Sequence, residues 1–213
     1  MSTRFPPLPI SPFWQYLWWM EIQALCVFCS SSNLIPEDFR DDAIALADRM
    51  ADGNITLIYG GGSVGIMGIL ADRILGRGGK VIGVIPEFLR TEELAHNGLT
   101  EMIVTQSMHE RKIEMSRRAD AFAVLPGGFG TLDEFFEILT WKQLGLHERP
   151  IVVANTGSWF DPILSYFRQA EDQRLISREN LSLIEVVDSG KHVVDAVMRL
   201  RDLPGALPRL SRS

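Results

Sequence analysis

Residues 55–68 read ITLIYGGGSVGIMG, in which an apolar run passes directly into a glycine-rich turn. The run Ile55–Tyr59 is nearly continuous in its apolar character, which is typical of a strand covered on both faces of a parallel sheet. Gly60, Gly62 and Gly65 satisfy the pattern G-x-G-x-x-G, and apolar residues at helical spacing follow. This order favours a helix N-terminus that meets a phosphate or nucleotide. The alternative is a tight turn that packs helix against strand and binds no ligand.

From Glu21 onward, the chain repeats this alternation of short apolar runs and longer amphipathic stretches. The runs predicted as strands are Ala24–Phe28, Ile55–Tyr59, Val81–Ile85, Glu101–Thr105, Ala121–Leu125, Ile151–Ala154 and Leu183–Val187. Strands that alternate with helices predict an α/β fold, with a Rossmann-like, doubly wound parallel sheet flanked by helices in a single domain. We expect this domain to span residues 21–202, after an N-terminal arm at 1–20 and before a tail at 203–213.

Composition and charge exclude several classes of protein. A chain of 213 residues with 46% hydrophobic and 23% charged residues is typical of one globular domain. The net charge of −6 argues against a nucleic-acid partner, and no apolar run reaches the roughly 18 residues that would span a membrane.

The two cysteines, Cys26 and Cys29, have C-x-x-C spacing but fall in a predicted strand, where residues three apart face opposite sides. We interpret them as small buried residues and expect no metal site, because one such pair cannot complete a zinc site. So few cysteines also fit a reducing cytoplasm.

A second glycine-rich turn, PGGFGTLDE at 126–134, follows another predicted strand. Open parallel sheets bind ligands just beyond the carboxyl ends of their strands. Both glycine-rich turns follow strands in this way, which favours a site between the two turns. Ser31, in the polar turn after the first strand, could offer a hydroxyl or an amide to the same site. Thr131 is predicted to cap the following helix, with Glu134 completing a capping box. The functional alternative is that Glu134 is a carboxylate facing a sugar.

A third motif, MHERK at 108–112, follows the strand predicted at Glu101–Thr105. Arg111 and Lys112 stand early in a helix, where the helix dipole disfavours cations. Basic residues in this position indicate a neighbouring anion site, although an ordinary surface would also accept them.

Together, these three motifs resemble the LONELY GUY (LOG) family of cytokinin riboside 5′-monophosphate phosphoribohydrolases, which have also been labelled lysine decarboxylases. The resemblance covers roughly Glu21 to Leu200. It implies a Rossmann-like cytoplasmic enzyme, a homodimer or larger homo-oligomer without a cofactor. Such an enzyme would split the N-glycosidic bond of an N6-substituted adenosine 5′-monophosphate into free base and ribose 5-phosphate.

By the same resemblance, Arg111 and Glu134 match the catalytic pair. The expected substrate contacts are Glu93, Lys112, Gly128, Phe129, Gly130, Thr131, Leu132, Asp133 and Thr140, with Gly61, Gly62 and Ser31 from the other turns. Asp133 departs from the family pattern, which often has Glu there, and a shorter acid could change the shape of the pocket. Whether plain AMP or an N6-prenylated AMP is preferred stays open.

Three other functions compete with this interpretation. An NAD(P)-dependent oxidoreductase would use the first glycine turn together with Glu87, at the end of the next strand. A lysine decarboxylase would need a pyridoxal phosphate Schiff base, and none of the four lysines, Lys80, Lys112, Lys142 and Lys191, has an obvious anchoring context. A nucleotide sensor or carrier would use the same turns without catalysis.

Overall fold

The computed structural model describes residues 22–91 and 95–201, so the predicted arm and tail lie outside the described residues. The described strands are β1 Ala24–Phe28, β2 Thr56–Tyr59, β3 Val81–Pro86, β4 Glu101–Thr105, β5 Ala121–Val124, β6 Ile151–Ala154 and β7 Glu185–Val187. Each predicted apolar run overlaps one of them, with differences of one or two residues at some ends; β3, for example, extends one residue beyond its predicted end, to Pro86. They pair in parallel throughout, as the nearly continuous apolar runs predict.

Helices cover both faces of this sheet. Their bounds are α1 Glu37–Asp52, α2 Gly65–Gly76, α3 Met108–Arg118, α4 Phe129–Gln143, α5 Asp161–Asp172, α6 Arg178–Leu181 and α7 Val193–Arg201. One apolar core joins α1, α2 and α7 to side chains such as Leu25 and Val27 of β1. The other core joins α3, α4 and α5 to their neighbours Cys26 and Phe28, which point to the opposite face. The doubly wound arrangement is therefore confirmed.

The order of the strands places the binding crevice. The sheet runs β4-β3-β2-β1-β5-β6-β7, so the direction of winding reverses between β1 and β5. In doubly wound sheets, ligands bind at this reversal, outside the carboxyl ends of the strands. The amide of Ser30, after β1, donates to the carbonyl of Pro126, after β5, over 3.2 Å. The loop after β1 and the second glycine turn therefore meet at this point.

Cys26 and Cys29 are free and buried, which confirms their interpretation as small core residues. Burial raises the pKa of both thiols, so they stay protonated and unreactive. Among residues 22–91 and 95–201, no group of three or more potential ligands is arranged to hold a metal ion. The helices of the same residues include none long and apolar enough to cross a membrane.

Candidate active site

The side chain of Arg111 lies across the carboxyl edge of the sheet, beside the reversal of strand order. It extends from α3, and its Nε donates to the carbonyl of Val84 in β3 over 3.0 Å. Its Nη1 lies 3.1 Å from Oε1 of Glu134 in α4. The side chains of the two residues are 11% and 8% exposed, so this is a buried ion pair. The pair predicted from two separate motifs is thus brought together in one place.

Gly60 makes room for this arrangement. A Cβ atom at Gly60 would lie 2.1 Å from Nη2 of Arg111, far inside van der Waals contact. The guanidinium therefore passes directly over the backbone at the end of β2. The glycine that opens the first motif is needed here for close approach of a side chain, which the sequence alone does not reveal.

Two opposing effects act on the carboxyl group of Glu134. Burial raises its pKa most and the negative charges of Asp133 and Glu137 add to this, while the guanidinium of Arg111 and the ammonium of Lys112 lower it. The net direction is upward, so the group gains or loses a proton closer to neutral pH than an exposed glutamate does. A carboxyl group in this condition is suited to general base or acid work and to stabilising a nearby positive charge.

The start of α4 differs from the prediction made for Thr131. The helix begins at Phe129, with Gly128 at the N-cap position, so Thr131 already lies inside it. The predicted Thr131 cap and its capping box with Glu134 are therefore wrong. The glycine turn enters the helix three residues earlier than the capping pattern suggests. Thr131 instead packs beside Gly127, where a Cβ would come within 2.1 Å of the Thr131 hydroxyl oxygen.

This earlier start leaves a set of amides directed out of the helix end. The first helical hydrogen bond joins the amide of Leu132 to the carbonyl of Gly128 over 3.1 Å. The amides of Phe129, Gly130 and Thr131 precede it, and amides of a first helical turn point along the axis with the positive end of the helix dipole. This combination suits a phosphate group.

Lys112 lies beside the Arg111–Glu134 pair but makes its own contacts. Its Nζ lies 2.8 Å from Oε2 of Glu137 and 3.1 Å from Oδ2 of Asp133. Burial lowers the pKa of Lys112, but the hydrogen bonds to Glu137 and Asp133 outweigh this and raise it. Sequence reasoning missed Glu137, although its spacing of three residues from Glu134 places both on one side of α4.

The first glycine turn is filled by contacts within the chain. Gly62 forms an isolated bridge with Ala95, and the carbonyl of Gly61 accepts from the amide of His96. The amide of Gly65 donates to the side chain of Asn33 over 2.9 Å, so that helix start is already capped. These contacts favour the tight-turn alternative for this motif and weaken the dinucleotide interpretation. The assignment of Gly61 and Gly62 as substrate contacts stays a prediction.

Known proteins resemble this chain over most of its length. A family model described as "Possible lysine decarboxylase" matches residues 67–197. The cytokinin riboside 5′-monophosphate phosphoribohydrolase LOG2 of Arabidopsis thaliana is 41% identical over 153 residues, which are 72% of this chain and 72% of that protein. LOG1 of the same plant is 38% identical over 179 residues, or 82% and 84% of the two chains. The chain belongs to the LONELY GUY family of phosphoribohydrolases.

Solved structures support the fold alone. The molybdenum cofactor binding protein of Rippkaea orientalis is 19% identical, with a TM-score of 0.65 over 85% of this chain and 98% of that one. The Moco carrier protein of Chlamydomonas is 20% identical, with a TM-score of 0.63 over 84% and 98%. At such low identity, the similarity confirms a Rossmann-like domain and carries no functional information.

The remaining residues implied by the family resemblance occupy varied positions. Ser31 lies against Gly65, where a Cβ would meet its backbone at 2.6 Å. Thr140 is exposed and donates to the carbonyl of Phe136, about 9 Å along α4 from Glu134. Phe129 is 93% exposed beside the first-turn amides, whereas Leu132 is partly buried in the core. Glu93 lies outside the described residues.

Proposed function

We propose that the protein hydrolyses the N-glycosidic bond of adenosine 5′-monophosphate or of its N6-substituted forms, releasing the free base and ribose 5-phosphate. The observation that carries this proposal is the buried Arg111–Glu134 pair, 3.1 Å apart, next to the outward-facing amides of α4. The names of its relatives, which are 37 to 41% identical, support the same chemistry.

Breaking this bond creates positive charge on the ribose and negative charge on the departing purine. The carboxylate of Glu134 stabilises the first of these and takes a proton from the attacking water. The water oxygen then bonds to C1′, while the electron pair of the C1′–N9 bond leaves with the base, which takes up the proton that Glu134 removed from the water, so the carboxylate is regenerated. Arg111 presents a planar, delocalised positive charge with several N–H donors and therefore acts as a charge and hydrogen-bond clamp.

The phosphate of the substrate lies at the start of α4 in this proposal. The amides of Phe129, Gly130 and Thr131 bind it, so the ribose is held with C1′ near Glu134. A nucleoside without the phosphate forgoes this binding, which is why the proposed substrate is a monophosphate. The NAD(P) alternative is weakened because the side chain of Asn33 already caps the first glycine turn. Lys112, beside the Arg111–Glu134 pair, is held as an ammonium, whereas a Schiff base with pyridoxal phosphate needs a neutral amine.

A homodimer or larger homo-oligomer is also part of the proposal. Apolar side chains are exposed along α4 and α5, among them Phe136 and Tyr166, and Leu144 is exposed directly after α4. Burying such a surface against a second copy would remove apolar area from water. Sedimentation equilibrium would give the mass directly; a monomer at micromolar concentration would contradict this part.

Product analysis tests the activity. The protein is incubated with AMP, N6-isopentenyl-AMP and the two corresponding nucleosides, and bases are separated by chromatography. We expect free base and ribose 5-phosphate from the monophosphates, with little release from the nucleosides. The ratio of kcat/KM for the two monophosphates then identifies the preferred substrate. Binding of AMP without release of base would refute the proposal in favour of a carrier or sensor.

A further inference from the structure

Lys112 and Glu137 form an ion pair between α3 and α4, immediately beside Glu134. The side chain of Lys112 is only 15% exposed and that of Glu137 only 22%. Asp133 also contacts the ammonium, but its side chain is 55% exposed. Solvent therefore screens the Asp133 contact strongly and the Lys112–Glu137 contact far less.

The pair and Glu134 line one small cavity. It leaves only about 10 Å³ for the centre of a water molecule, which is room for about one water, and its apolar walls include Phe28, Ile138 and Trp141. Water reaches little of this space, so charges around it interact over several ångströms with weak screening. A change in the charge of Lys112 or Glu137 is therefore transmitted to the carboxyl group of Glu134.

The other groups that face Glu134 can be named from each element packed around it. Arg111 and Lys112 contribute positive charge from α3, while Asp133 and Glu137 contribute negative charge from α4. Cys26 and Cys29 approach from β1 and the loop that follows it, but as neutral thiols. Arg111 is joined directly to Glu134 and Asp133 is mostly exposed, so Lys112 and Glu137 are the remaining pair of partly buried charges beside Glu134.

We propose that Lys112 and Glu137 are positioning residues that together set the protonation of Glu134 for hydrolysis, with Lys112 favouring the carboxylate and Glu137 favouring the carboxylic acid. This inference rests on the proposed function for its catalytic meaning. Its electrostatic content is independent of activity, because both residues act on Glu134 whether or not substrate is turned over.

Direct titration of Glu134 tests the inference. Glutamate labelled with ¹³C at Cδ is incorporated into the full chain, and Glu134→Gln identifies the signal by its loss. We expect Lys112→Met to raise the titration midpoint by about one pH unit and Glu137→Gln to lower it by about one. Glutamine has the shape of glutamate, so the second variant removes the charge and leaves the packing in place. The double variant changes the net charge by zero and should titrate within about 0.3 units of the wild type.

A matched control and a kinetic readout complete the experiment. Lys142 is also in α4, but its Nζ donates to the carbonyl of Leu183. The control variant Lys142→Met should therefore leave the titration of Glu134 unchanged. On the acid limb of the pH profile, where Glu134 is mostly protonated, kcat/KM should fall about tenfold in Lys112→Met and rise about tenfold in Glu137→Gln. Lys112→Gln replaces Lys112→Met if the latter does not fold.

The outcomes separate the two proposals. A merely structural role would lower the melting temperature of both variants without shifts of opposite sign. Equal midpoints in all variants, or shifts in the same direction, would overturn the inference. Opposite shifts in the ¹³C titration without any release of base would uphold the electrostatic role and refute the proposed hydrolysis.

Discussion

Replacing Gly60 with alanine would put a methyl group 2.1 Å from Nη2 of Arg111. The guanidinium is the free end of a long side chain, but bonds to Val84 and Glu134 hold it in place. To regain ordinary contact, Nη2 must move by more than about 1 Å, which breaks or lengthens at least one of these bonds. The backbone itself accepts alanine, because Gly60 does not have the positive φ found at Gly61.

We expect Gly60→Ala to lower kcat/KM more than it lowers the free energy of unfolding. A displacement of about 1 Å at a catalytic group lowers kcat/KM by about 10²-fold, which corresponds to about 2.7 kcal/mol of transition-state stabilisation. Breaking a buried ion pair outright costs about 3–5 kcal/mol, but much of the attraction between Arg111 and Glu134 survives as the side chain relaxes. We therefore expect a loss of no more than about 2 kcal/mol in the free energy of unfolding.

The assay compares kcat/KM for AMP hydrolysis with urea unfolding of the same samples. Gly76→Ala is the matched control, because a Cβ there has open space and the residue ends α2 away from Arg111. It should keep wild-type activity. Wild-type kcat/KM in Gly60→Ala would refute the assignment of Arg111. A loss of activity fully matched by unfolding would also refute it.

Three further predictions concern stability. Gly65→Ala should lower the free energy of unfolding by about 2 kcal/mol or more, because φ is +64° and backbone atoms lie 2.6 Å from the added Cβ; an unchanged urea midpoint would contradict this. Asp42→Ala should cost about 2–4 kcal/mol, since this buried carboxylate accepts bonds from Thr156, Ser189 and Gly190; denaturation compared with the exposed-site variant Asp41→Ala measures it. Burial lowers the pKa of His147 from 6.5 to about 4, so the unfolded chain binds a proton there that the folded chain does not. Stability should therefore fall as pH drops from 6.5 towards 4, and His147→Gln should reduce that slope in unfolding experiments.

The sheet could be predicted from the sequence because its signal is local. Strands covered on both faces are apolar at nearly every position, so runs such as Ala121–Leu125 indicate strands directly. The ends are less certain, because hydrogen-bond pairing decides them. Leu125 is buried like its neighbours, yet it lies just beyond the end of β5.

The site was only partly predictable because its geometry depends on contacts distant in sequence. Arg111 and Glu134 could be named from two motifs, but their 3.1 Å contact depends on the packing of α3 against α4. The function of Gly60 as a space for Arg111 comes from residues 51 positions apart, which no local pattern encodes. Thr131 shows the opposite error, since a good capping residue lies three positions inside the helix it was expected to start.

Glu137 was missed for a related reason. In the sequence, Glu137 is one of three acidic residues close together in α4, and such a residue is predicted to be an ordinary surface charge. Its burial with Lys112 follows from the tertiary structure, in which α3 and α4 lie side by side over β1. The sequence does not show which charges on two helices will meet, so a partly buried ion pair of this kind can be identified only from the structure.

The central claim is that the carboxylate of Glu134 drives hydrolysis. The most direct test uses Glu134→Gln and measures two constants: kcat for release of base from AMP, and the dissociation constant of AMP by calorimetry. The substitution preserves shape and removes the charge. We predict that kcat falls by about 10³-fold while AMP binds within a few-fold of the wild-type affinity. A Glu134→Gln protein that releases base at the wild-type rate would contradict the account.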